Sequence, residues 1–342
     1  MSWISTISEH LAAIGAYVAA VARNMFLSPG GDYGATSLLA AFLLAAGYLI
    51  LRRPADRRRV PVKVLLRALL PRRLLTHAST RTDLAYLLFN AFVFGLAFGW
   101  AVLSGHYVAA AVRGALAGGF GEPAPSQMPA FLQMALMTAA LFLAYEFAYW
   151  IDHYLAHTLP FLWEFHKVHH SAEVLSPLTN ARVHPVDTIV FYNIVALTMG
   201  TIGGLMQFGL GAPVRPFSFW NHNAIALLFA YSLHHLQHSH VWIAFTGALG
   251  KIILSPAHHQ IHHSTNPIHF NKNLGSSLAI FDWLFGTLHL PQKKREKLTF
   301  GVEDYEGNPH SLPESLVQPL PLAVKGLARR LRGVRARGAG QV

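Results

Sequence analysis

The sequence predicts an all-α, polytopic membrane protein with about five transmembrane helices. Two observations of composition support this fold class. Hydrophobic residues make up 53% of the 342 residues and charged residues only 13%, whereas a soluble domain carries about 25% charged residues. In addition, five long windows contain no Asp, Glu, Lys or Arg. The chain has no cysteine, which excludes disulfide frameworks, iron–sulfur clusters and thiol nucleophiles.

The predicted transmembrane helices follow the five windows without charge. Each window can hold the roughly 20 apolar residues that a helix needs to cross a bilayer; the windows are 33–51, 84–112, 123–145, 188–214 and 216–250. The last two are separated only by Arg215 and flanked by Pro213 and Pro216, which predicts a tight hairpin of two antiparallel helices. The stretch 5–27 is interrupted by Arg23, and we predict an interfacial helix there rather than a span.

The net charge of +11 is concentrated in two segments. Residues 52–82 contain ten Lys or Arg and one acid, and a second basic cluster runs from Lys325 to Arg337. Basic clusters beside apolar stretches are typical of cytoplasmic loops on an anionic membrane surface; nucleic-acid binding is the less favoured alternative. With 52–82 in the cytoplasm, the order of spans places the C-terminus there as well. The Arg- and Ala-rich composition suggests a bacterial inner membrane.

Histidine is the most informative residue type of this sequence. The 21 histidines outnumber the 16 acidic residues, and 16 of them lie between His153 and His269. Positions i, i+3 and i+4 share one face of a helix, and the predicted topology brings four such clusters to the same cytoplasmic edge. The clusters have the spacing HxxxH, HxxHH, HxxxH and HxxHH and comprise His153, His157, His166, His169, His170, His234, His238, His259, His262 and His263.

These clusters predict metal binding, because neutral imidazole is the commonest metal ligand. Ten histidines exceed the three or four ligands that one zinc ion takes, so we predict a cytosolic helical cap that carries a dinuclear metal site. Nitrogen ligands suit zinc, copper, iron and nickel, and the spacing does not choose among them. A histidine-rich membrane metal transporter or metal-binding protein and a dinuclear metal hydrolase are the alternatives. The nearly nonpolar spans disfavour the first, and clusters poor in carboxylates disfavour the second.

The segments around the clusters resemble the motifs of the fatty acid hydroxylase/sterol desaturase superfamily of integral-membrane di-iron enzymes. Residues 163–171 read WEFHKVHHS, similar to the family's W-x-x-H-x-x-H-H-S, and 180–185 read NARVHP, similar to N-x-R-x-H-P. Residues 255–264, SPAHHQIHHS, resemble the last histidine box. Residues 281–287, FDWLFGT, resemble the closing W-D-x-x-F-G-T, with Phe281 where the family usually has Trp. The resemblance covers about 130–290.

The resemblance implies four parts of the chain. An interfacial N-terminal segment, 1–32, precedes an N-terminal transmembrane region, 33–129, that contains the basic loop 52–82. A fatty acid hydroxylase-like di-iron domain occupies 130–290, and a basic cytosolic tail follows at 291–342. The implied activity is the O2-dependent hydroxylation or desaturation of a C–H bond in a lipid, such as a sterol or fatty acyl chain, that enters from the bilayer.

The resemblance also implies roles for individual residues. The ten clustered histidines would bind two iron ions, with His234 the least regular member because many relatives have no histidine there. Residues expected to orient the ligands are His184, His240, His258 and Asp282; for Asp282, capping the turn before Trp283 is an equal alternative.

Electrons must come from outside this chain. The sequence has neither the His-Pro-Gly-Gly signature of a fused cytochrome b5 domain nor a G-x-G-x-x-G dinucleotide fingerprint. A separate ferredoxin, cytochrome or reductase is therefore implied, and the basic stretch 292–297 offers it a docking surface, unless it is a solvated tail. No nucleic-acid partner is implied, and the sequence leaves the oligomeric state open.

Overall fold

The computed structural model describes residues 3–31, 33–303 and 305–338, which are mostly helical. The ends of the predicted N-terminal segment and C-terminal tail, residues 1–2 and 339–342, lie outside the described residues. The predicted all-α, polytopic class is confirmed. Long apolar helices form a bundle, and short helices with irregular connections gather histidines at one end of it.

The N-terminal part forms two apolar helices and a basic segment. Helix α1 (Trp3–Ala22) runs into a π-helical turn (Arg23–Leu27), and α2 (Ala35–Leu51) follows. The predicted basic loop contains a 3₁₀ turn (Ala55–Arg57) and the short helices α3 (Val62–Leu69) and α4 (Arg72–Leu75). Its arginine side chains are exposed. The Nε2 of His240 donates to the Ala68 carbonyl at 2.7 Å, so the basic segment lies at the end of the bundle that holds the histidines.

Three helical stretches form the centre of the bundle. The first comprises α5 (Ala78–Phe89), a π-helical turn (Asn90–Phe94), α6 (Gly95–Phe98), a 3₁₀ turn (Gly99–Ala101) and α7 (Gly105–Phe120). The second is α8 (Ala130–Thr158), from which the chain turns into α9 (Pro160–His170). The third, α10 (Pro185–Gly209), follows a 3₁₀ turn (Pro177–Ala181). Asn193 of α10 bridges the break before α7, because it bonds both the Ala101 carbonyl and the Leu103 N–H.

Two glycines of α10 let α7 approach it closely. A Cβ at Gly200 would lie 2.6 Å from the Cβ of Val108, and a Cβ at Gly204 would lie 2.6 Å from the Ala109 carbonyl oxygen. Small residues at such a seam allow two helix backbones to pack tightly within a membrane. The seam holds α10 in place, and the first turn of α10 carries part of the site described below.

Among the described residues, four helical stretches are long and apolar enough to cross a membrane: Ile7–Leu27, Ala78–Phe120, Ala130–Thr158 and Pro185–Gly209. The N-terminal stretch, for which the sequence predicts an interfacial helix, meets this criterion because Glu9 and Arg23 are the only charges that interrupt it. Helix α2, predicted as a span, is apolar but has only 17 residues.

Residues 216–250, predicted as the fifth span, do not form one long helix. Strands β1 (Ser218–Phe219) and β2 (His222–Asn223) pair in a hairpin, followed by α11 (Ala224–Phe229), a π-helical turn (Ala230–His234), α12 (His235–Gln237) and, after an irregular segment, α13 (Gly247–Ile252). Trp220 and Asn221 form the hairpin turn with positive φ. The segment packs in part against α2 and α8, for example through Phe229 stacked on Phe142, while Phe219, Trp220 and Leu228 are exposed.

The rest of the chain consists of short helices and a terminal helix. These are α14 (Pro256–His262), a 3₁₀ turn (Pro267–His269), α15 (Ile280–Phe285), α16 (Leu312–Val317) and α17 (Pro319–Gly338). Helix α17 packs along α9. Together with α9, α14 and α15 it forms the helical cap at the histidine end of the bundle.

Candidate metal centre

Helix ends bring the clustered histidines together. Helix α8 carries His153 and His157 in its last turns, and Pro160 starts α9 directly afterwards, so the chain reverses next to them. Because residues three and four apart share a helix face, α9 directs its three clustered histidines, and α14 its own three, into the same space. His238 follows the end of α12 and completes the set.

Nine of the ten predicted ligands form two adjacent groups. The first histidine group consists of His153, His157, His166, His170 and His262, and the second of His169, His238, His259 and His263. Within each group, one ligand atom of every residue lies within 4.8 Å of the others. In the first group, the Nε2 of His170 is 3.1 Å from the Nε2 of both His157 and His262. The rings of His170 and His263 stack at 4.5 Å, so the two groups touch.

The contacts within the second group have the geometry of a metal site. The Nε2 of His238 lies 3.2 Å from that of His169, 3.1 Å from that of His263 and 2.9 Å from that of His259. A neutral imidazole has one donor nitrogen and one acceptor nitrogen, so these Nε2 atoms cannot all be paired by hydrogen bonds. Nitrogens bound at 2.0–2.1 Å to one tetrahedral ion would lie about 3.3 Å apart. The donor set and its spacing therefore fit a metal ion.

Three rings of the first group are oriented through their other nitrogen. His153 Nδ1 donates to the Leu274 carbonyl at 2.8 Å, and His262 Nδ1 donates to the Lys272 carbonyl at 2.9 Å. His166 Nδ1 donates to Asp187 Oδ2 at 3.0 Å. These bonds fix the tautomer that leaves the Nε2 lone pair free for a metal. The buried Nε2 atoms of His153 and His166 have no hydrogen-bond partner among the described residues, as expected of ligand atoms.

The loop that supplies the two carbonyls is held by Asp282. Its carboxylate accepts the N–H groups of Leu274 and Gly275, both at 2.8 Å, and the Thr287 hydroxyl at 2.6 Å. Asp282 is fully buried. Asp282 therefore supports the metal centre indirectly, because it positions the Leu274 peptide whose carbonyl orients His153. It also lies in the first turn of α15, but that helix has no side-chain cap bond, so the carboxylate does not play the alternative capping role.

Burial keeps six rings of the two histidine groups neutral. Burial, with a smaller contribution from neighbouring rings, lowers the pKa of His238 to about 3, and burial lowers that of His262 to about 3. Burial and neighbouring rings also lower the pKa values well below the ordinary value for His169, His170, His259 and His263. Neutral imidazole is the form that binds metal, so the metal-binding form is present at pH 7.

His234 does not join either group. It ends the π-helical turn, where its Nε2 accepts a hydrogen bond from Asn180 Nδ2 at 3.0 Å. It borders a cavity beside the metal centre rather than the ligand cluster.

The three histidines predicted to orient ligands lie outside the two groups. None of their rings bonds a ligand ring among the described residues, although the His258 carbonyl accepts from Asn273 Nδ2. Their ring contacts are with the chain elsewhere: His184 with the Val186 N–H and the Leu316 carbonyl, His240 with the Ala68 carbonyl, and His258 with the Ser255 N–H.

Sequence reasoning missed Asp187 and the buried pair Arg182–Asp83. Asp187 follows directly after the N-x-R-x-H-P segment, in the first turn of α10, and this short spacing is the one signal in the sequence that could have drawn attention to it. Arg182 is part of that segment; its guanidinium bonds Asp83 at 3.2 Å and the Val168 carbonyl of α9 at 3.0 Å. Nothing in the sequence pairs Arg182 with Asp83, which lies 99 residues away.

Substitution of Asp187 by alanine should weaken metal binding without unfolding the protein. His166 would lose the acceptor that orients its ring, and changes of this kind typically lower metal affinity about 10–100-fold. Competition with a chelator, followed by metal analysis, measures the affinity. Asp187→Asn keeps an acceptor oxygen and should show a smaller loss, whereas Asp56→Ala removes an exposed carboxylate and should show none. An unchanged affinity in Asp187→Ala would contradict the role assigned to this residue.

A cavity of about 330 Å³ reaches the metal centre. Its lining includes aromatic side chains such as Tyr145, Tyr149 and Phe191, together with His153, His166 and His169 of the metal centre. The π-helical turns of the described residues also line the cavity. Met25 belongs to the turn 23–27, Asn90 and Phe94 to the turn 90–94, and His234 to the turn 230–234. The cavity therefore contacts ligands of both histidine groups.

Comparison with known proteins agrees with this geometry. The fatty acid hydroxylase family model matches residues 138–287. The chain is 34% identical over 169 residues to ornithine lipid hydroxylase OlsE of Rhizobium tropici, a match that covers 49% of this chain and 45% of that protein. It is 27% identical over 166 residues to human alkylglycerol monooxygenase, covering 47% and 32%, respectively.

A third relative is a putative Delta(7)-sterol-C5(6)-desaturase 2 of Arabidopsis thaliana, 25% identical over 172 residues and covering 48% of this chain and 51% of that protein. The chain thus spans about a third to a half of the length of these relatives. No solved structure matches the chain significantly. The matched region contains all nine histidines of the two groups, and over residues 138–287 the chain matches the fatty acid hydroxylase family.

Proposed function

We propose that the protein is a membrane-bound lipid oxygenase that uses O2 and two iron ions to hydroxylate or desaturate a C–H bond. The observation that carries this proposal is the meeting of the aromatic cavity with both histidine groups. His153 and His166 of the first group and His169 of the second line the cavity. A lipid chain in the cavity would therefore contact the metal centre.

The proposed ligands are the nine histidines of the two groups. The first group would hold one ion and the second group the other, and His234 is not proposed as a ligand. Bound iron would supply the activation of O2 that an unactivated C–H bond requires, which no side chain can supply. The chain contributes ligand orientation, through Asp187 and the carbonyls of Lys272 and Leu274.

Aromatic side chains complete the environment of the first group. Tyr149 packs edge-on against His153 at 5.5 Å, and Trp163 packs against His157 and His170 at 5.1 Å and 5.4 Å. They cover the cluster, whose rings are mostly buried. Exclusion of water protects a reactive site from side reactions, and the fixed walls place the substrate carbon.

The names of the relatives favour a polar membrane lipid as substrate and hydroxylation as the reaction. One relative is named as an ornithine lipid hydroxylase and one as an alkylglycerol monooxygenase, whereas the desaturase match has the lower identity. The four apolar helices support membrane attachment. A dinuclear hydrolase is disfavoured, because the two groups consist of histidines alone among the described residues, and Asp187 bonds the Nδ1 of His166 and not its metal-binding face.

The electron donor and the orientation in the membrane belong to the same proposal. We propose a separate ferredoxin, cytochrome or reductase, which would dock on the exposed basic residues of 293–297. The histidine groups and the basic segment 52–82 lie at one end of the bundle, which supports a cytoplasmic location for that end. The proposed location is a bacterial inner membrane, and the proposed catalytic domain is 130–290 between the N-terminal membrane region and the basic tail.

The proposal is tested with the full chain in lipid nanodiscs after anaerobic loading with ferrous iron. Ornithine lipid and an alkylglycerol are supplied separately with a reduced ferredoxin and its reductase, under isotopically labelled O2. Mass spectrometry should find one labelled oxygen atom in the lipid, or the loss of two hydrogens if the reaction is desaturation. The protein without metal should give neither product. Product formation in the absence of O2, or at the same rate without iron, would overturn the proposal.

A further inference from the structure

A third group of metal-binding side chains lies in the cap, apart from the two histidine groups. It consists of His269, His289 and Glu296, and one ligand atom of each lies within 4.8 Å of the others. His269 ends the 3₁₀ turn after α14, and the other two lie on the irregular segment that follows α15. None of the three belongs to the clusters that predicted the dinuclear site.

His269 is placed as a ligand would be and has no other bonding role. Its side chain is 2% exposed, and neither ring nitrogen has a hydrogen-bond partner among the described residues. Buried polar side-chain atoms in proteins are nearly always bonded to a partner, and a metal ion can serve as that partner for an imidazole nitrogen. Two potential ligands face the ring: the His289 ring at 4.9 Å, nearly perpendicular, and Glu296 Oε2 at 3.9 Å from His269 Nε2.

We propose that His269, His289 and Glu296 bind a third metal ion, of the zinc class, which stabilises the cap. Two imidazoles and a carboxylate are a typical three-residue zinc set that leaves one position for water. Ligand atoms on a tetrahedral zinc ion lie about 3.3 Å apart, so binding requires the present atoms to approach by about an ångström. Glu296 can make this movement, because it lies on an irregular segment and is 21% exposed.

The ion would join two segments that support the dinuclear site. The His269 carbonyl accepts the Lys272 N–H at 3.3 Å, and the Lys272 carbonyl orients His262. On the other side, Asn273 accepts the His289 N–H at 2.8 Å and donates to the His289 carbonyl at 2.9 Å. An ion between His269 and His289 would therefore hold the 272–275 loop from both sides.

The test is the metal content of the full chain in detergent, stripped with a chelator and then supplied with Zn²⁺ alone. The wild type should bind one ion per chain more than His289→Gln and one more than Glu296→Gln. The exposed carboxylate of Glu303 provides the matched control, and Glu303→Gln should bind as much as the wild type. The result depends only on the difference of one zinc ion per chain between the wild type and each variant. The number of ions bound by the two histidine groups therefore does not affect the test.

Thermal unfolding gives a second readout. Zn²⁺ should raise the unfolding temperature of a variant whose dinuclear site is impaired, His169→Ala with His262→Ala, and this rise should disappear when Glu296→Gln is added. Glu296→Gln changes the charge but not the shape of a partly exposed side chain, so we expect this variant to fold. It keeps the test valid if His289→Gln does not fold. Equal metal content in the wild type and in both single variants, or a Zn²⁺-induced rise that survives Glu296→Gln, would overturn the proposal.

Discussion

Replacing His262 by alanine is expected to remove the metal from the first histidine group and to abolish turnover. The Nε2 of His262 lies 3.1 Å from that of His170, and its Nδ1 is fixed by the Lys272 carbonyl, so the ring is both a proposed ligand and a rigid one. Loss of a ligand should exceed the roughly 10–100-fold effect typical of an orienting residue. Turnover of the lipid and iron per chain are the two measurements.

The iron content should distinguish the two groups. His262→Ala should retain the ion of the second group, and His259→Ala should retain that of the first, so each variant should lose about half of the iron. His106 is exposed and lies outside both groups, and His106→Ala is the control that should keep full content and activity. A His262→Ala protein with the iron content of the wild type would contradict the assignment of this ligand.

Replacing Arg182 by alanine is expected to destabilise the protein by about 3–5 kcal/mol, the usual cost of leaving one partner of a buried ion pair alone. Arg182 and Asp83 are both completely buried, 3.2 Å apart. The guanidinium also donates to the Val168 carbonyl, the Ser171 hydroxyl and the Pro309 carbonyl. It therefore joins α5, α9 and the segment before α16 directly behind His169 and His170.

A double variant distinguishes the cost of an unpaired buried charge from the cost of lost side-chain packing. Arg182→Met combined with Asp83→Leu leaves no unpaired charge and should recover much of the lost stability, because apolar replacement of a buried pair is often neutral. Arg73→Ala removes an exposed arginine and should leave the unfolding temperature unchanged. The temperature is measured by intrinsic tryptophan fluorescence in detergent. An Arg182→Ala protein as stable as Arg73→Ala would show that the buried pair does not hold the cap together.

The sequence was sufficient to predict nine of the ten clustered histidines as members of the two groups, because the helical spacing of each cluster is local information. Within α8, α9 and α14, residues three and four apart lie on one face whatever the tertiary structure. Their assembly was predicted from a count of five spans, although residues 216–250 do not form one long helix. The partners of the rings could not be predicted in this way, since Lys272, Leu274 and Asp187 are brought to them by tertiary packing.

Two predictions from local sequence patterns were wrong: His234 as a member of the ligand clusters and residues 216–250 as one long helix. The pairing of His234 with His238 assumes an α-helix, but the turn is π-helical at 230–234 and the helix ends at Gln237, so the two side chains point in different directions. The apolar composition of 216–250 does not distinguish one long membrane-spanning helix from short elements that pack in part against α2 and α8. Two non-glycine residues with positive φ made the hairpin turn there, which composition does not reveal.

The three π-helical turns in the cavity wall suggest how substrate choice changes in evolution. A π turn contains one residue more than the α turn it replaces, because its hydrogen bonds reach one residue further. Deleting one residue at 90–94 would restore the α-helical register and rotate the side chains beyond it by about 100°, while the nine histidines of the two groups, which lie on other segments, would keep their positions. Gain or loss of a single codon could thus reshape the lipid cavity in one step, with the oxidising centre inherited unchanged.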